Sequence, residues 1–305
     1  MQCRLCPREC LVDRENGERG FCGETSQLRI ASILPHFGEE PCITGRKGSG
    51  TVFFSGCSCG CFFCQNYQIS HGGIGRLYSE DDFFEALKGL VSRGVHNLNF
   101  VTPDHFWPQI ERVMRRLREE GVDIPFLWNT SGYCRVEMVR EQAKLVDVFL
   151  PDYKYALPEL AETCMGDSRY PELALAAISE MVDAAGFLRP YDETGEITAT
   201  RGVLVRHLVL PGQYENSIAV LDALYSHFGP RLPISIMSQF MPMPECKRRG
   251  MFTEKVDATM YEAVVQHADD LGFTRVFTQI DSGDDAFAPD FTLENPFRGN
   301  KEASR

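Results

Sequence analysis

The chain has 305 residues, of which 43% are hydrophobic, and it carries a formal net charge of −12 at pH 7. This length is sufficient to bury one large core. Because nucleic-acid phosphates are bound by clustered Lys and Arg, an acidic chain with only short basic runs argues against a nucleic-acid partner. No apolar run approaches the roughly 18 residues of a membrane span, and the first residues are not signal-like, so we expect no membrane partner and a cytoplasmic location.

The first 48 residues are rich in Cys, Gly and charge and contain one strand-like stretch, Leu28–Leu34. Nine of the twelve cysteines precede residue 65, whereas thiols buried as small hydrophobic groups would be scattered along the chain. In a reducing compartment they are not expected to form structural disulfides. We therefore expect metal or redox chemistry, and we predict a small Cys-rich, metal-binding appendage over residues 1–48.

After residue 48, short apolar runs alternate with amphipathic helical stretches, which is typical of βα units and a parallel sheet. The predicted strands are Thr51–Ser55, Leu98–Thr102, Pro125–Asn129, Val146–Leu150, Gly202–Leu210, Ile234–Ser238 and Val276–Ile280. The first helix begins after Ser79, where Asp82 completes a capping box. The other helical patterns cover Trp107–Glu120, Val136–Leu145, Pro171–Ala185, Ser217–His227 and Glu254–Leu271.

Six βα units and a trailing strand are fewer than the eight units of a closed TIM barrel. The predicted fold class is therefore α/β, a partial, open-sided (β/α)6 TIM-like barrel over residues 49–285, followed by a C-terminal tail over residues 286–305. In such barrels the functional groups follow the C-terminal ends of the strands. We therefore expect the chemistry in the segments that follow the predicted strands.

A loop with the spacing C-x3-C-x2-C, formed by Cys57, Cys61 and Cys64, follows the first predicted barrel strand. Three thiolates on a four-iron cluster leave one iron without a protein ligand, and an open metal position usually marks catalysis rather than structure. Cys59 lies two residues from both Cys57 and Cys61, which is a crowded spacing, so we expect it not to be a ligand. A closed zinc or Fe–S site that includes Cys42 or Cys59 is the alternative.

This cysteine loop resembles the triad of the radical S-adenosylmethionine (SAM) superfamily. The longer string Gly48–Asn66 is similar to the branch related to pyruvate formate-lyase activating enzymes, and specifically to its uncharacterised Fe–S proteins. The resemblance implies a 4Fe–4S cluster on the three cysteines, with SAM chelated to the open iron through its amino and carboxylate groups. It also implies that one electron from the cluster cleaves SAM, giving methionine and a 5'-deoxyadenosyl radical that abstracts hydrogen from a substrate.

The resemblance also assigns residues after the second and third strands to SAM binding. The family's glycine-rich GGE turn has no glycine pair here, so Thr102, Asp104 and His105 correspond to it by position only. Asn129 and Thr130 stand in a turn similar to the family's DTNG, with Asn129 in place of the acid.

The later strand ends give three further matches. Asp152 and Lys154 resemble the family's D-x-K motif, in which the lysine contacts SAM and the aspartate helps to bind a cation. Arg206 and His207 lie in a run that resembles R-x-x-V-x-P-G, and they point to opposite faces of a strand, so only one of them can line the barrel. Gln239 stands where related enzymes place a polar residue that contacts the ribose.

Four further cysteines have metal-like spacing near the start of the chain. Cys3, Cys6, Cys10 and Cys22, which we call the N-terminal thiol set, could close a tetrahedral zinc site or hold a second Fe–S cluster. The CxxC opening resembles a zinc-ribbon knuckle, and the resembling family often carries such a set. Zinc, an auxiliary Fe–S cluster and a role without metal all remain open at this point.

The favoured function is that of a radical SAM enzyme, a glycyl-radical activating enzyme-like oxidoreductase. Its expected partners are a protein or peptide substrate and an electron donor such as flavodoxin or ferredoxin. Two alternatives are radical chemistry on a small molecule, and a non-enzymatic Fe–S or zinc binding protein. Reductive cleavage of SAM would separate the enzymes from the binding protein. No residue is assigned to catalysis itself.

Overall fold

The structure is a computed structural model that describes residues 2–279 and 288–297. In these residues the strands are β1 (Leu28–His36), β2 (Ser49–Phe54), β3 (Arg76–Tyr78), β4 (Leu98–Val101), β5 (Phe126–Thr130), β6 (Val148–Pro151), β7 (Gly202–Val203), β8 (Val205–Leu208), β9 (Ile234–Met237) and β10 (Val276–Thr278). The α-helices are α1 (Pro41–Thr44), α2 (Tyr67–Ser70), α3 (Glu80–Ser92), α4 (Trp107–Glu119), α5 (Val136–Gln142), α6 (Pro158–Met165), α7 (Tyr170–Ala185), α8 (Tyr214–Phe228), α9 (Pro244–Arg249) and α10 (Ala258–Leu271).

The strands form two sheets, in the orders β3-β1-β2-β4-β5-β6-β7 and β10-β9-β8. From β2 to β7 in the first sheet, and throughout the second sheet, neighbouring strands are parallel. At one edge of the first sheet, β1 pairs antiparallel with both β2 and β3. A parallel bridge between Asp152 and Arg206 joins the two sheets, and the Tyr153 amide donates to the Arg206 carbonyl at 2.8 Å. The chain therefore has a mixed α/β fold with a parallel sheet, which is consistent with a partial barrel.

The predicted strand Gly202–Leu210 is divided at Leu204. The Leu204 amide donates to the Phe149 carbonyl of β6 at 3.1 Å, but the next amide, of Val205, donates to Pro233 beside β9, also at 3.1 Å. The chain changes its partner between these two residues, so β7 and β8 belong to different sheets. The prediction of one continuous strand is therefore wrong.

The six predicted helices are present, with some of their ends shifted. Helix α3 begins where predicted, and the Ser79 hydroxyl accepts a hydrogen bond from the Asp82 amide at 3.0 Å. Helix α10 begins four residues later than predicted because Asp257 caps it, accepting a hydrogen bond from the Met260 amide at 3.0 Å. The short helices α1, α2, α6 and α9 and the exposed edge strand β3 were not predicted, because they are too short to show a period. Ile280, the last residue of the last predicted strand, lies outside the described residues.

The two ends of the chain differ in how they meet the core. The hydrophobic clusters begin at Leu28, and residues 2–25 contribute no side chain to them. Residues 288–297, by contrast, return to the strand ends, where the rings of Phe291 and Phe297 lie 5.4 and 5.3 Å from that of Phe53. The predicted domain boundaries at residues 48 and 285 stay a prediction. No helix in the described ranges is long and apolar enough to cross a membrane.

Candidate functional site

A cavity of about 250 Å³ lies at the carboxyl ends of the parallel strands. Its wall is formed by the loops after β2, β4, β5, β6 and β9 and by the described end of the chain. It brings together the three predicted cluster ligands and six of the eight residues predicted to lie beside SAM, and its lining includes Cys57, Cys61, Cys64, Thr102, Asn129, Thr130, Asp152, Lys154, Arg206 and Gln239.

The cysteine loop forms one side of this cavity. The Cys59 amide donates to the Cys57 sulfur at 3.4 Å, which lowers the pKa of this thiol, but burial has the larger effect and raises it to about 12. Cys59 also borders the cavity, and its sulfur lies 3.5 Å from the sulfurs of both Cys61 and Met165. The distinction between Cys59 and the three predicted ligands therefore stays a prediction.

Cys61 lies in the most polar surroundings of the three. The Tyr155 hydroxyl donates to its sulfur at 3.2 Å in a buried contact. The hydrogen bond from the Cys59 thiol lowers the pKa of Cys61, and the Lys154 ammonium and the Tyr155 hydroxyl act in the same direction. This sulfur is therefore the most easily ionised of the three, as a metal ligand needs to be.

Lys154 and Asp152 form an ion pair beside this sulfur, and their side chains are only 18% and 17% exposed. Although burial opposes it, the Asp152 carboxylate and the Cys61 thiol raise the pKa of Lys154 well above its ordinary value. Lys154 is therefore a fixed positive charge between a carboxylate and the cysteine loop. Such a charge can meet the carboxylate of a zwitterionic ligand.

Arg206 of β8 also lines the cavity. Its guanidinium donates to Glu39 at 2.6 Å and to Glu40 at 3.0 Å, and Asn99 donates to Glu39 at 2.9 Å. Burial would raise the pKa of Glu40, but the Arg206 guanidinium holds it below its ordinary value. One guanidinium paired with two carboxylates leaves an excess negative charge at this wall.

His207 points away from the cavity, as the opposite faces of the strand require. Its Nδ1–H donates to the Tyr153 carbonyl at 2.9 Å, and its Nε2 accepts from the Ser217 hydroxyl at 2.9 Å. The prediction that only one of Arg206 and His207 lines the barrel is confirmed, and Arg206 is that residue.

Asp104 and His105 do not border the cavity. The Asp104 carboxylate accepts hydrogen bonds from the Trp128 indole at 2.9 Å and the Thr130 hydroxyl at 2.8 Å, and burial raises its pKa. The His105 Nε2–H donates to the Ser55 carbonyl at 2.8 Å. Both residues form hydrogen bonds to neighbouring strand ends outside the cavity. The cavity lining therefore does not support their predicted contact with SAM.

Thr102 takes the place of the family's glycine pair and has a strained backbone. Its φ is +55°, in the left-handed region that β-branched residues rarely adopt. Its amide donates to the Asn129 carbonyl at 2.9 Å, which ties the end of β4 to that of β5. The turn thus keeps a glycine-like conformation without glycine, and such strain often marks a functional position.

The N-terminal thiol set comes together in space. Burial raises the pKa of Cys6 to about 12, and the nearby thiols of Cys22, Cys3 and Cys10 add to the shift. A side-chain carbon at Gly20 would lie 3.1 Å from the Cys10 sulfur and 3.5 Å from that of Cys22. Across residues 2–279 and 288–297, however, no group of three or more His, Cys, Asp or Glu side chains is arranged to hold a single metal ion. A metal at this set stays a prediction.

The remaining four cysteines do not border the cavity, although the Cys164 carbonyl accepts a hydrogen bond from the Phe62 amide of the cysteine loop at 3.1 Å. Cys42 is fully buried against Leu127 and Val148 in a small hydrophobic cluster. Cys134, Cys164 and Cys246 are buried free thiols. Cys42 therefore does not border the cavity.

Comparison with known proteins identifies the family. A sequence model of the radical SAM superfamily matches residues 51–221, which is more than half of the chain. The chain belongs to the radical SAM superfamily. Membership implies a 4Fe–4S cluster and SAM, together with the cleavage of SAM. The matched range contains the cysteine loop and the predicted SAM-binding residues of β4, β5 and β6.

Individual relatives are more distant. An uncharacterised protein of Methanocaldococcus jannaschii is 27% identical over 265 residues, covering 83% of this chain and 71% of that protein. SuiB of Streptococcus suis, solved with its precursor peptide SuiA, is 13% identical with a TM-score of 0.49, covering 73% of this chain and 46% of SuiB. Methylornithine synthase is 13% identical with a TM-score of 0.44, covering 82% of this chain and 74% of that enzyme. The chain therefore spans less than half the length of SuiB.

Two contacts of the site were not predicted. Glu39 and Glu40 precede Pro41, a pattern that indicates a helix start but not that Arg206 is their partner. Tyr155 follows the D-x-K residues directly. Because β6 ends before it, the alternation of side chains along the strand does not predict where the Tyr155 side chain points. For a residue in a loop after a strand, the sequence predicts its location near the strand end but not which residue it contacts.

Proposed function

We propose that this radical SAM protein is an enzyme that cleaves SAM at a 4Fe–4S cluster held by Cys57, Cys61 and Cys64. The observation that carries the proposal is the shared cavity, in which these thiols lie with a buried ammonium and several polar strand-end residues. When bound and reduced, the cluster supplies the electron that divides SAM into methionine and a 5'-deoxyadenosyl radical. The donor chemistry fits, since thiolates are the ligands of such clusters.

The other lining residues have roles that follow from their charge and position. Lys154 binds the SAM carboxylate, and the ion pair with Asp152 orients the Lys154 ammonium. Asn129 and Thr130 offer polar groups at the end of β5, and Gln239 offers an amide after β9. The excess carboxylate charge around Arg206 favours the cationic amino group and sulfonium of SAM. Together these groups orient SAM and replace water around it.

We further propose a protein or peptide substrate, with formation of a glycyl radical as the specific hypothesis. In the described residues, a second cavity of about 750 Å³ lies along β9, β10 and α10 and shares Gln239 with the first. Its lining mixes apolar side chains, such as Phe240 and Val265, with charged ones, such as Glu262. A mixed cleft of this size has room for a short peptide segment, and its volume is also in the range of small-molecule sites, so the experiment below decides between the two.

The test of SAM cleavage compares cysteine variants. Reduced, cluster-reconstituted protein should convert SAM to methionine and 5'-deoxyadenosine, and replacement of Cys57, Cys61 or Cys64 by Ala should abolish this conversion. Cys59→Ala is the matched control and should retain it. Cleavage that survives in Cys61→Ala, or that is lost in Cys59→Ala with the fold intact, would contradict the ligand assignment.

The substrate class can be tested without knowing the substrate. A deuterated cell extract is separated into protein and small-molecule fractions, and each is incubated with the reduced enzyme and unlabelled SAM. Deuterium in 5'-deoxyadenosine from the protein fraction supports the proposal. Deuterium from the small-molecule fraction alone supports radical chemistry on a small molecule instead.

A further inference from the structure

We propose that the N-terminal thiol set controls the geometry of the cysteine loop at residues 57–64, and that Arg8 is the positioning residue that joins the two. The inference rests on the proposed function, in which this loop holds the cluster. It assigns the N-terminal segment a role in the reaction site without any contact with SAM or substrate.

Arg8 lies between Cys6 and Cys10 but its side chain reaches the other cysteine loop. Its guanidinium donates to the Ser58 carbonyl and the Cys59 carbonyl, each at 3.1 Å. It also donates at 2.6 and 3.1 Å to the carbonyls of Met165 and Gly166, where α6 ends. One side chain thus ties the loop to the end of a helix.

The position of this guanidinium is fixed from the thiol side. The Arg8 backbone amide donates to the Cys6 sulfur, and this contact lowers the pKa of Cys6 against the larger effect of burial. The guanidinium also lies 3.9 Å from the centre of the Phe21 ring, beside Cys22. The Cys6 sulfur is therefore in direct contact with the backbone of the residue that holds the cysteine loop.

A second tether reaches the loop at its other end. The Cys57 amide donates to the carbonyl of Cys22 at 3.3 Å. The two segments are so close that a side-chain carbon at Gly56, whose φ is +80°, would lie only 2.6 Å from this carbonyl oxygen. The backbones of one predicted cluster ligand and one member of the N-terminal thiol set are therefore in direct contact.

A third tether passes through Arg14, which is buried. It donates to the His105 carbonyl at 2.5 Å and to the Glu24 carbonyl at 3.2 Å. His105 in turn donates to Ser55, directly before the cysteine loop. The buried position of His105 thus has a structural explanation as part of this connection.

The N-terminal segment cannot rely on a hydrophobic core for its own order. Residues 2–25 add no side chain to the hydrophobic clusters, and the buried apolar side chains in this range are those of Cys6 and Cys22. Small segments of this kind are usually held by a metal or by cross-links, so metal binding and folding are coupled. Metal at the N-terminal thiol set would then order Arg8 and the Cys22 carbonyl, and these would order the cysteine loop.

The test uses the full chain, reconstituted with iron and sulfide under reducing conditions. Two quantities are measured, which are hydrogen exchange in peptides that cover residues 57–64 and the rate at which a chelator removes the visible cluster absorbance. The variants are Arg8→Ala, Arg8→Lys and Cys6→Ala. Arg4→Ala is the matched control, because Arg4 is an exposed arginine of the same segment.

Arg8→Ala and Cys6→Ala should each raise both rates by roughly ten-fold, the effect of losing charge-assisted hydrogen bonds. Arg8→Lys keeps the positive charge but loses the planar set of guanidinium donors, so both rates should fall between those of wild type and Arg8→Ala. In Arg4→Ala both rates should stay within about two-fold of wild type. In the double variant, which combines Arg8→Ala with Cys6→Ala, both rates should rise by less than the product of the two single effects, because Cys6 acts in part through Arg8. Rates in Arg8→Ala equal to those in Arg4→Ala, or effects that multiply in the double variant, would overturn the proposal.

A variant with Cys57, Cys61 and Cys64 all replaced by Ala separates this inference from the proposed function. It should still bind zinc or iron at the N-terminal thiol set, and metal analysis would say which. A metal-free variant would overturn the metal dependence. If instead this variant, when reduced, still cleaves SAM, the proposed function fails, while hydrogen exchange in wild type and Arg8→Ala still tests the tether.

Discussion

Replacing Lys154 tests the proposed SAM site without touching the proposed cluster ligands. Its ammonium forms a pair with Asp152 in which both side chains are less than one-fifth exposed, at 18% and 17%. If the ammonium meets the SAM carboxylate, its loss should cost about 1.5 to 3 kcal/mol, the value of a charge-assisted hydrogen bond. This corresponds to a roughly ten- to hundred-fold increase in the Kd for SAM. Removal also leaves the Asp152 carboxylate unpaired beside the carboxylate group of SAM, so we expect the upper part of this range.

The assay is a titration of SAM into cluster-reconstituted wild type, Lys154→Ala and Lys154→Met, with iron content measured in parallel. Lys154→Met retains most of the volume and should behave like Lys154→Ala, with unchanged cluster content. Lys144→Ala is the matched control, since Lys144 forms an exposed pair with Glu141 at 2.5 Å and its side chain is 56% exposed. A surface pair of this kind is worth about 0 to 1 kcal/mol and does not affect ligand affinity. Equal dissociation constants for wild type and Lys154→Ala would refute the placement of SAM against the end of β6.

Three further predictions concern strain, redox potential and pH. Thr102→Gly should raise the free energy of unfolding by about 1 kcal/mol, because glycine tolerates the positive φ of this turn; a fall of that size in urea titrations would contradict the strain. Tyr155→Phe should lower the cluster's midpoint potential by roughly 40 mV, since a hydrogen bond to the Cys61 sulfur stabilises the reduced state by about 1 kcal/mol, and an unchanged potentiometric titration would count against this contact. Burial lowers the pKa of His207 from 6.5 to about 4. The contribution of His207 to the free energy of unfolding, at most about 3 kcal/mol, is therefore present above pH 6.5 and lost as pH falls towards 4. Urea unfolding of cluster-free protein should therefore show a smaller acid loss in His207→Asn than in wild type, and equal losses would contradict the prediction.

The positions of the candidate site could be predicted because the strands are parallel. Their carboxyl ends meet at one edge, so residues after separate strands, such as Cys57, Asn129 and Lys154, line one cavity. The alternation of side chains along a strand also predicts that Arg206 and His207 point in opposite directions. Local periodicity is sufficient for these statements because each concerns one strand and its end.

The partners of individual residues could not be predicted in the same way. Asp104 follows β4 as a SAM-binding residue would, but Trp128 and Thr130 of the next strand take both of its oxygens. The contacts of Arg8 join residues 50 to 158 positions apart, and no local pattern encodes a hydrogen bond to a distant backbone carbonyl. The division at Leu204 likewise depends on which strand lies beside the chain, which is a property of the assembled sheet.

Electron paramagnetic resonance of the reduced protein, recorded with and without SAM, would report directly on whether SAM binds to an open iron of the cluster on Cys57, Cys61 and Cys64. We expect SAM to shift the signal and SAM labelled with 17O in its carboxylate to broaden it, with neither effect in Cys61→Ala. A spectrum that SAM leaves unchanged, under conditions in which titration shows that SAM is bound, would contradict the proposed site.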